Sequence, residues 1–178
     1  VRTPVGPDDR LRLRRRLVIH RLLELLPELP PERRVEACRR FLSRPIHELD
    51  AATQEEIARE TLRVLEDPAF APLFGPGSQA EVPLVGELAG RDGPFILSGQ
   101  IDRLVVSPER ILVLDYKTNR PPPAMEEDVP EIYLKQMAAY RAALNRTYPG
   151  RPVECALLWT DGPSLMRISP DRLDRHAP

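Results

Sequence analysis

The stretch ILVLDYKTNRPPP (111–123) runs an apolar segment into Asp115 and Lys117, one residue apart, and then breaks on three prolines. In a β-strand alternate side chains share a face, so this carboxylate and ammonium point the same way, roughly 7 Å apart along the strand. Tyr116 points to the opposite face, and its backbone carbonyl lies between the two. Asp102, in SGQIDR, stands 13 positions before Asp115. A hairpin turning within SPER (107–110) brings Asp102 close to opposite Asp115. Two carboxylates ~4 Å apart repel by about 4 kcal/mol at an effective dielectric of 20. One ammonium offsets only part of that, so the group needs either a shared proton or a divalent cation. Oxygen-only donors favour Mg²⁺ or Mn²⁺ over Zn²⁺. An isolated Asp-X-Lys is ordinary strand-end charge; Asp102 at hairpin distance is what turns it towards metal chemistry.

Other polar residues fall where they would join such a centre. Gln136 and Tyr140 are four apart, with Tyr133 three before Gln136, which puts them on one face of a helix. That helix follows the Asp-X-Lys strand directly and would pack beside it. His20 lies on a stripe with Leu17, Leu23 and Glu24; a lone histidine on such a face is usually a core or boundary residue. Of the 26 basic residues 24 are Arg, and the two lysines are Lys117 and Lys135. A lysine beside a carboxylate in a chain that otherwise writes its positive charge as Arg suits a compact ammonium better than a flat guanidinium.

The elements that must position these groups read as helices first and strands second. DDRLRLRRRLVIHRLLELLPELPP has apolar residues at helical spacing and stops at Pro27 and Pro30. PERRVEACRRFLSR starts with Pro31 at a first helical position. TQEEIARETLRVLEDP offers a capping box of Thr53 with Glu56. After the break FGPGS (74–78), AEVPLVGEL, PFILSGQIDRLVVS and RILVLDYK read as three consecutive antiparallel strands. VPEIYLKQMAAYRAALNRTY reads as a helix, and VECALLWT and SLMRIS as two further strands. The expected fold is α/β, a mixed sheet flanked by helices, in a single domain over 1–178. Residues 1–70 form its helical segment and 78–178 its catalytic sheet and helix.

Composition limits the function. With 42% hydrophobic and 30% charged residues the chain reads as globular, and no apolar run approaches the ~18 residues of a membrane span. A net charge of −1 means that nucleic-acid affinity must come from a local patch or from a larger parent protein, and the initial Val suggests such a parent. The arginine run RLRLRRR (10–16) could touch phosphates, although such runs more often form a solvated helix face. Neither lysine follows a glycine, so the GxxxxGK[ST] phosphate loop is absent and the chain is not an ATP motor. Two cysteines, Cys38 and Cys155, cannot supply an iron–sulfur cluster and read as free thiols of a reducing cytosol.

The strings GQIDRL, LDYKTNRPPP and YLKQMAAY, with IHRLLELLP near the front, resemble the RecB-like branch of the PD-(D/E)XK nuclease superfamily. FAPLFGPGSQAEVPLVGEL and LLWTDGPSLMRI resemble in particular the C-terminal nuclease domain of AddA-type helicase–nuclease subunits. The resemblance covers nearly the whole chain. It implies a restriction-endonuclease-like fold and a Mg²⁺- or Mn²⁺-dependent deoxyribonuclease without an iron–sulfur cluster. It implies His20, Asp102 and Asp115 as metal ligands, with the backbone carbonyl of Tyr116, and Lys117 as the lysine that orients water and stabilises transition-state charge. Gln136 and Tyr140 match the motif peculiar to this branch, and Glu81 falls where relatives often carry a glutamate, as a second-layer contributor. Arg16 stands where the family often has Gly four residues before its histidine. The implied setting is double-strand break repair and recombination in a bacterial cytoplasm, at the nucleoid. The implied partners are single strands from unwound DNA, a helicase region of the same parent chain, and an AddB-like subunit. A catalytically silent module of the same fold, serving as DNA channel or assembly scaffold, is the alternative.

Overall fold

The computed structural model describes residues 7–90 and 93–178. The chain forms two compact units, a helical one ending at Ala71 and a second from Pro72 to Pro178. The helical unit contains α1 (Pro7–Leu25), α2 (Pro31–Leu42) and α3 (Ala51–Glu66). Val18, Ile19, Leu22, Leu23 and Leu26 recur at helical spacing and are all buried, as are Cys38, Leu42, Ile57 and Val64. Pro31 does open α2, with the φ that proline already holds. The start of α3 differs from the expected capping box. Asp50 is the N-cap, and its carboxylate accepts from the Thr53 N–H at 2.7 Å. Aspartate ranks above threonine at this position, and its acceptor is ionised.

Within the arginine run, Arg10, Arg12 and Arg16 are exposed, as on a solvated helix face, but Arg15 is not. Arg15 is buried and ion-paired with buried Glu60, with Glu56 at 3.6 Å, and Arg14 is ion-paired with Glu48. Both cations already hold carboxylates of their own unit and are not surplus positive charge for phosphates.

The second unit is a five-stranded sheet in the order β1-β2-β3-β4-β5. β1 (Ser78–Gly90), β2 (Gly93–Val106) and β3 (Ile111–Lys117) form the antiparallel meander that the turn residues predict. Pro83 lies on β1, an edge strand, where its missing N–H costs least. β3 is buried over Ile111–Tyr116. A strand covered on both faces is read as a continuous apolar run, which is why ILVL precedes the charged pair. The helix α4 (Glu131–Thr147) then connects β3 to the parallel strand β4 (Val153–Trp159), and β5 (Ser164–Ile168) pairs antiparallel to β4. Leu134, Met137, Ala138, Tyr140 and Leu144 of α4 join Val113, Cys155, Leu157 and Trp159 in one core. A short helix α5 (Pro170–Arg175), which the sequence reading does not contain, closes the unit. The fold is thus the expected mixed sheet flanked by helices. No described helix is long and apolar enough to cross a membrane.

Candidate active site

Three carboxylates lie in a row across the first three strands. The β2–β3 ladder ends at Arg103↔Leu114, and one step further along the same register Asp102 opposes Asp115. On the other side of β2, Ala80↔Arg103 and Val82↔Ile101 flank a single missing rung at which Glu81 opposes Asp102. The register is unchanged across that gap, so no residue is inserted. Instead Glu81 adopts a left-handed backbone, φ 53°. A non-glycine residue in this region costs of order 1–3 kcal/mol and persists only where its surroundings hold it. Glu81 and Asp102 each present a carboxylate oxygen within 4.8 Å of the other's. The sequence carries no signal for this backbone, since glutamate does not favour positive φ.

Asp102 has a further partner at the end of the ladder. Its Oδ2 accepts from the Tyr116 N–H at 2.7 Å, tying β2 to β3 where main-chain pairing stops. Asp115 is buried, and its Oδ2 lies 2.5 Å from Lys117 Nζ. The lysine side chain folds back along its own strand, closing the distance that separates the two backbones. Tyr116, the penultimate residue of β3, points its ring to the other face. There its hydroxyl accepts from buried Arg103 Nε at 2.7 Å, and Arg103 also donates to Ser78 Oγ at 2.8 Å. Burial, ahead of any opposing effect of Arg103, pushes the Tyr116 phenol well above its ordinary value.

Helix α4 supplies a chain of hydrogen bonds that ends on Lys117. Lys117 Nζ donates to Gln136 Oε1 at 3.4 Å, Gln136 Nε2 donates to Tyr140 Oη at 3.2 Å, and Tyr140 donates to the Gln100 carbonyl at 3.1 Å. The i, i+4 spacing of Gln136 and Tyr140 makes the middle link. Burial raises the Tyr140 phenol, Gln136 opposes this, and the charges of Asp115 and Asp102 raise it further. Gly99 makes room for that hydroxyl: a Cβ there would stand 2.7 Å from Tyr140 Oη. A glycine inside a strand pattern is a readable sign of close approach, and SGQIDR carries it three residues before Asp102. His20 lies on α1 of the helical unit and is partly buried.

The donor set suits a hard divalent cation. Asp102, Asp115 and Glu81 offer oxygen alone, and like charges on adjacent strands repel unless a cation relieves them. The one ammonium among them is positioned by the amide of Gln136 as well as by Asp115. Such an arrangement can bind a metal, present a fixed positive charge beside it and accept an anionic ester.

No curated protein matches the chain. A solved structure described as "Crystal structure of SSO0001" matches over 93% of this chain and 80% of that chain, at 14% identity and a TM-score of 0.42. A family model described as the PD-(D/E)XK nuclease superfamily matches residues 9–173, both helical unit and sheet unit. That match covers most of the chain, and the chain belongs to the PD-(D/E)XK nuclease superfamily.

Proposed function

We propose that this protein is a divalent-metal-dependent deoxyribonuclease that hydrolyses phosphodiester bonds in single-stranded DNA. The observation that carries the reading is buried Asp115, ion-paired with the half-buried Lys117 and set beside Asp102 at the end of adjacent strands. Uncatalysed phosphodiester hydrolysis is so slow that the barrier must fall by about 20 kcal/mol. Asp102 and Asp115 would hold the cation, with Glu81 beside Asp102. A cation there supplies Lewis-acid polarisation of water and neutralises charge on the phosphoryl oxygens. Lys117 adds positive charge where the reacting phosphorus centre becomes more negative. Gln136 and Tyr140 keep that ammonium in place, so little reorganisation is left for the reaction itself. The family resemblance further assigns His20 and the Tyr116 carbonyl to the metal, and Mg²⁺ or Mn²⁺ as the ion.

The wider setting rests on the same resemblance. In it the domain is an AddA-like, RecB-branch exonuclease, fed with single strands by a helicase region of the same parent and assisted by an AddB-like subunit during double-strand break repair.

Incubating the protein with linear single-stranded DNA and Mg²⁺ tests the reading. Cutting is expected, abolished by chelator and by Asp115→Asn. Chelator-insensitive cutting, or full activity in the variant, would contradict it. Titration with Mn²⁺ provides an independent readout, since wild type should bind and Asp115→Asn should bind much more weakly.

A further inference from the structure

We infer that Tyr133 is a positioning residue for Lys117, holding the ammonium on its ring face. The inference rests on the nuclease reading above and extends it to a residue outside the acidic and lysine motif. Lys117 Nζ stands 3.8 Å from the centroid of the Tyr133 ring. The ring is itself fixed on two sides. Its hydroxyl donates to Asn119 Oδ1 at 3.1 Å, and its plane leans on buried Trp159 with centroids 6.4 Å apart. Asn119 follows Lys117 by two residues, so the bond also anchors the segment where β3 leaves the sheet.

The physical role differs from that of the other two partners. Gln136 takes a proton of the ammonium through a directed lone pair, and Asp115 holds it as an ion pair. Attraction to a ring face depends on the distance of the cation from the centroid and persists while the ammonium turns. Lys117 can therefore exchange one acceptor for a phosphate or water oxygen without losing the ring. The contact is neutral, so it adds no further negative charge to a group already rich in carboxylates. In a partly desolvated site such a contact contributes roughly 0.5–2 kcal/mol, which is about a two- to thirtyfold effect on rate.

The composition makes a direct test possible, because the protein has only two lysines. Lys135, ion-paired to Glu131 at 2.8 Å on the exposed side of α4, provides the internal reference. In a lysine-labelled NMR spectrum the Lys117 side-chain protons should lie upfield of those of Lys135. The displacement should survive in Tyr133→Phe and vanish in Tyr133→Leu. In DNA cutting with Mg²⁺, Tyr133→Phe should stay within about twofold of wild type. Tyr133→Leu should lower kcat about three- to thirtyfold with KM little changed. In a Lys117→Ala background the leucine substitution should cost nothing further, because its effect acts through the lysine. Equal losses in the phenylalanine and leucine variants, or an additive loss in the double variant, overturn the inference. An unshifted Lys117 resonance in wild type overturns it as well. If wild type fails to cut at all, the nuclease reading is lost, and the lysine resonances decide the role of Tyr133 alone.

Discussion

Two ion pairs whose side chains are of nearly equal exposure have different surroundings. In the helical unit the side chains of Arg15 and Glu60 are 10% and 4% exposed; in the sheet unit those of Lys117 and Asp115 are 12% and 6% exposed. Arg15 spans two helices and satisfies carboxylates of its own unit, Glu60 and then Glu56. The Lys117–Asp115 pair lies within one strand, has Asp102 on the next strand with Glu81 beyond it, and shares its ammonium with an amide and an aromatic face. Burial of charge therefore does not distinguish the candidate site. Its marks are an excess of like charge on adjacent strands and a cation with interchangeable partners.

The comparison can be broken most forcefully at Asp115. Asp115→Asn should reduce Mg²⁺-dependent cutting by at least about a thousandfold while costing stability only about 1 kcal/mol, because the ammonium keeps its ring and amide and the neighbouring acids lose a repelling charge. Activity assays and thermal melts on the same preparation would show the two effects apart. A collapse in stability would mean that the pair is structural after all.

Glu60→Ala should do the reverse. Leaving Arg15 buried with only the more exposed Glu56 should cost roughly 3 kcal/mol and lower Tm by about 10 °C. Specific activity of the folded fraction should stay unchanged. Loss of activity without loss of Tm would erase the distinction drawn between the two pairs.

Gly99→Ala sharpens the sheet side of the comparison without touching any charge. The added methyl cannot coexist with Tyr140 Oη at 2.7 Å, so the ring must shift and the chain from Gln100 to Lys117 must loosen. We expect cutting to drop about tenfold at a stability cost of about 1–3 kcal/mol. Tyr140→Phe, which keeps the ring and removes the hydroxyl, should reproduce the activity loss with a smaller stability cost.

The smallest effect concerns the two thiols. Burial pushes Cys38 up to about 11 and Cys155 up to about 12, from an ordinary value of 9.0. Both are neutral in the folded protein at pH 8, so alkylation by iodoacetamide should be slow until the chain unfolds. Because the folded values lie above the unfolded one, this contribution is complete below pH 9 and declines as pH rises towards 11–12. Chemical denaturation at pH 8 and pH 10 should show the decline, and it should be weaker in Cys155→Ala. Rapid labelling of native protein at pH 8 would show that these segments open readily.

Much of this site is legible in the chain because its geometry is local. Strand alternation puts Asp115 and Lys117 on one face, a short turn at SPER sets Asp102 against Asp115, and helical spacing joins Gln136 to Tyr140. The same locality makes the five strands and the connecting helix readable. The capping box at Thr53 misled because Asp50, three residues earlier, is a better acceptor for the same end of the helix. The burial of Arg15 within the otherwise solvated arginine run is not readable, because its partners stand more than 40 residues away.

By itself, then, the sequence determined which segments alternate, where they turn, and that acids and a lysine share one end of the sheet. Only the tertiary structure decided that Glu81 would take a left-handed backbone opposite Asp102, that Gly99 would admit the Tyr140 hydroxyl, and that the Tyr133 ring would lie beneath the ammonium. The first set follows from fixed backbone repeats over a few residues. The second depends on which side chains distant elements bring within a few ångströms, and no repeat along the chain encodes that.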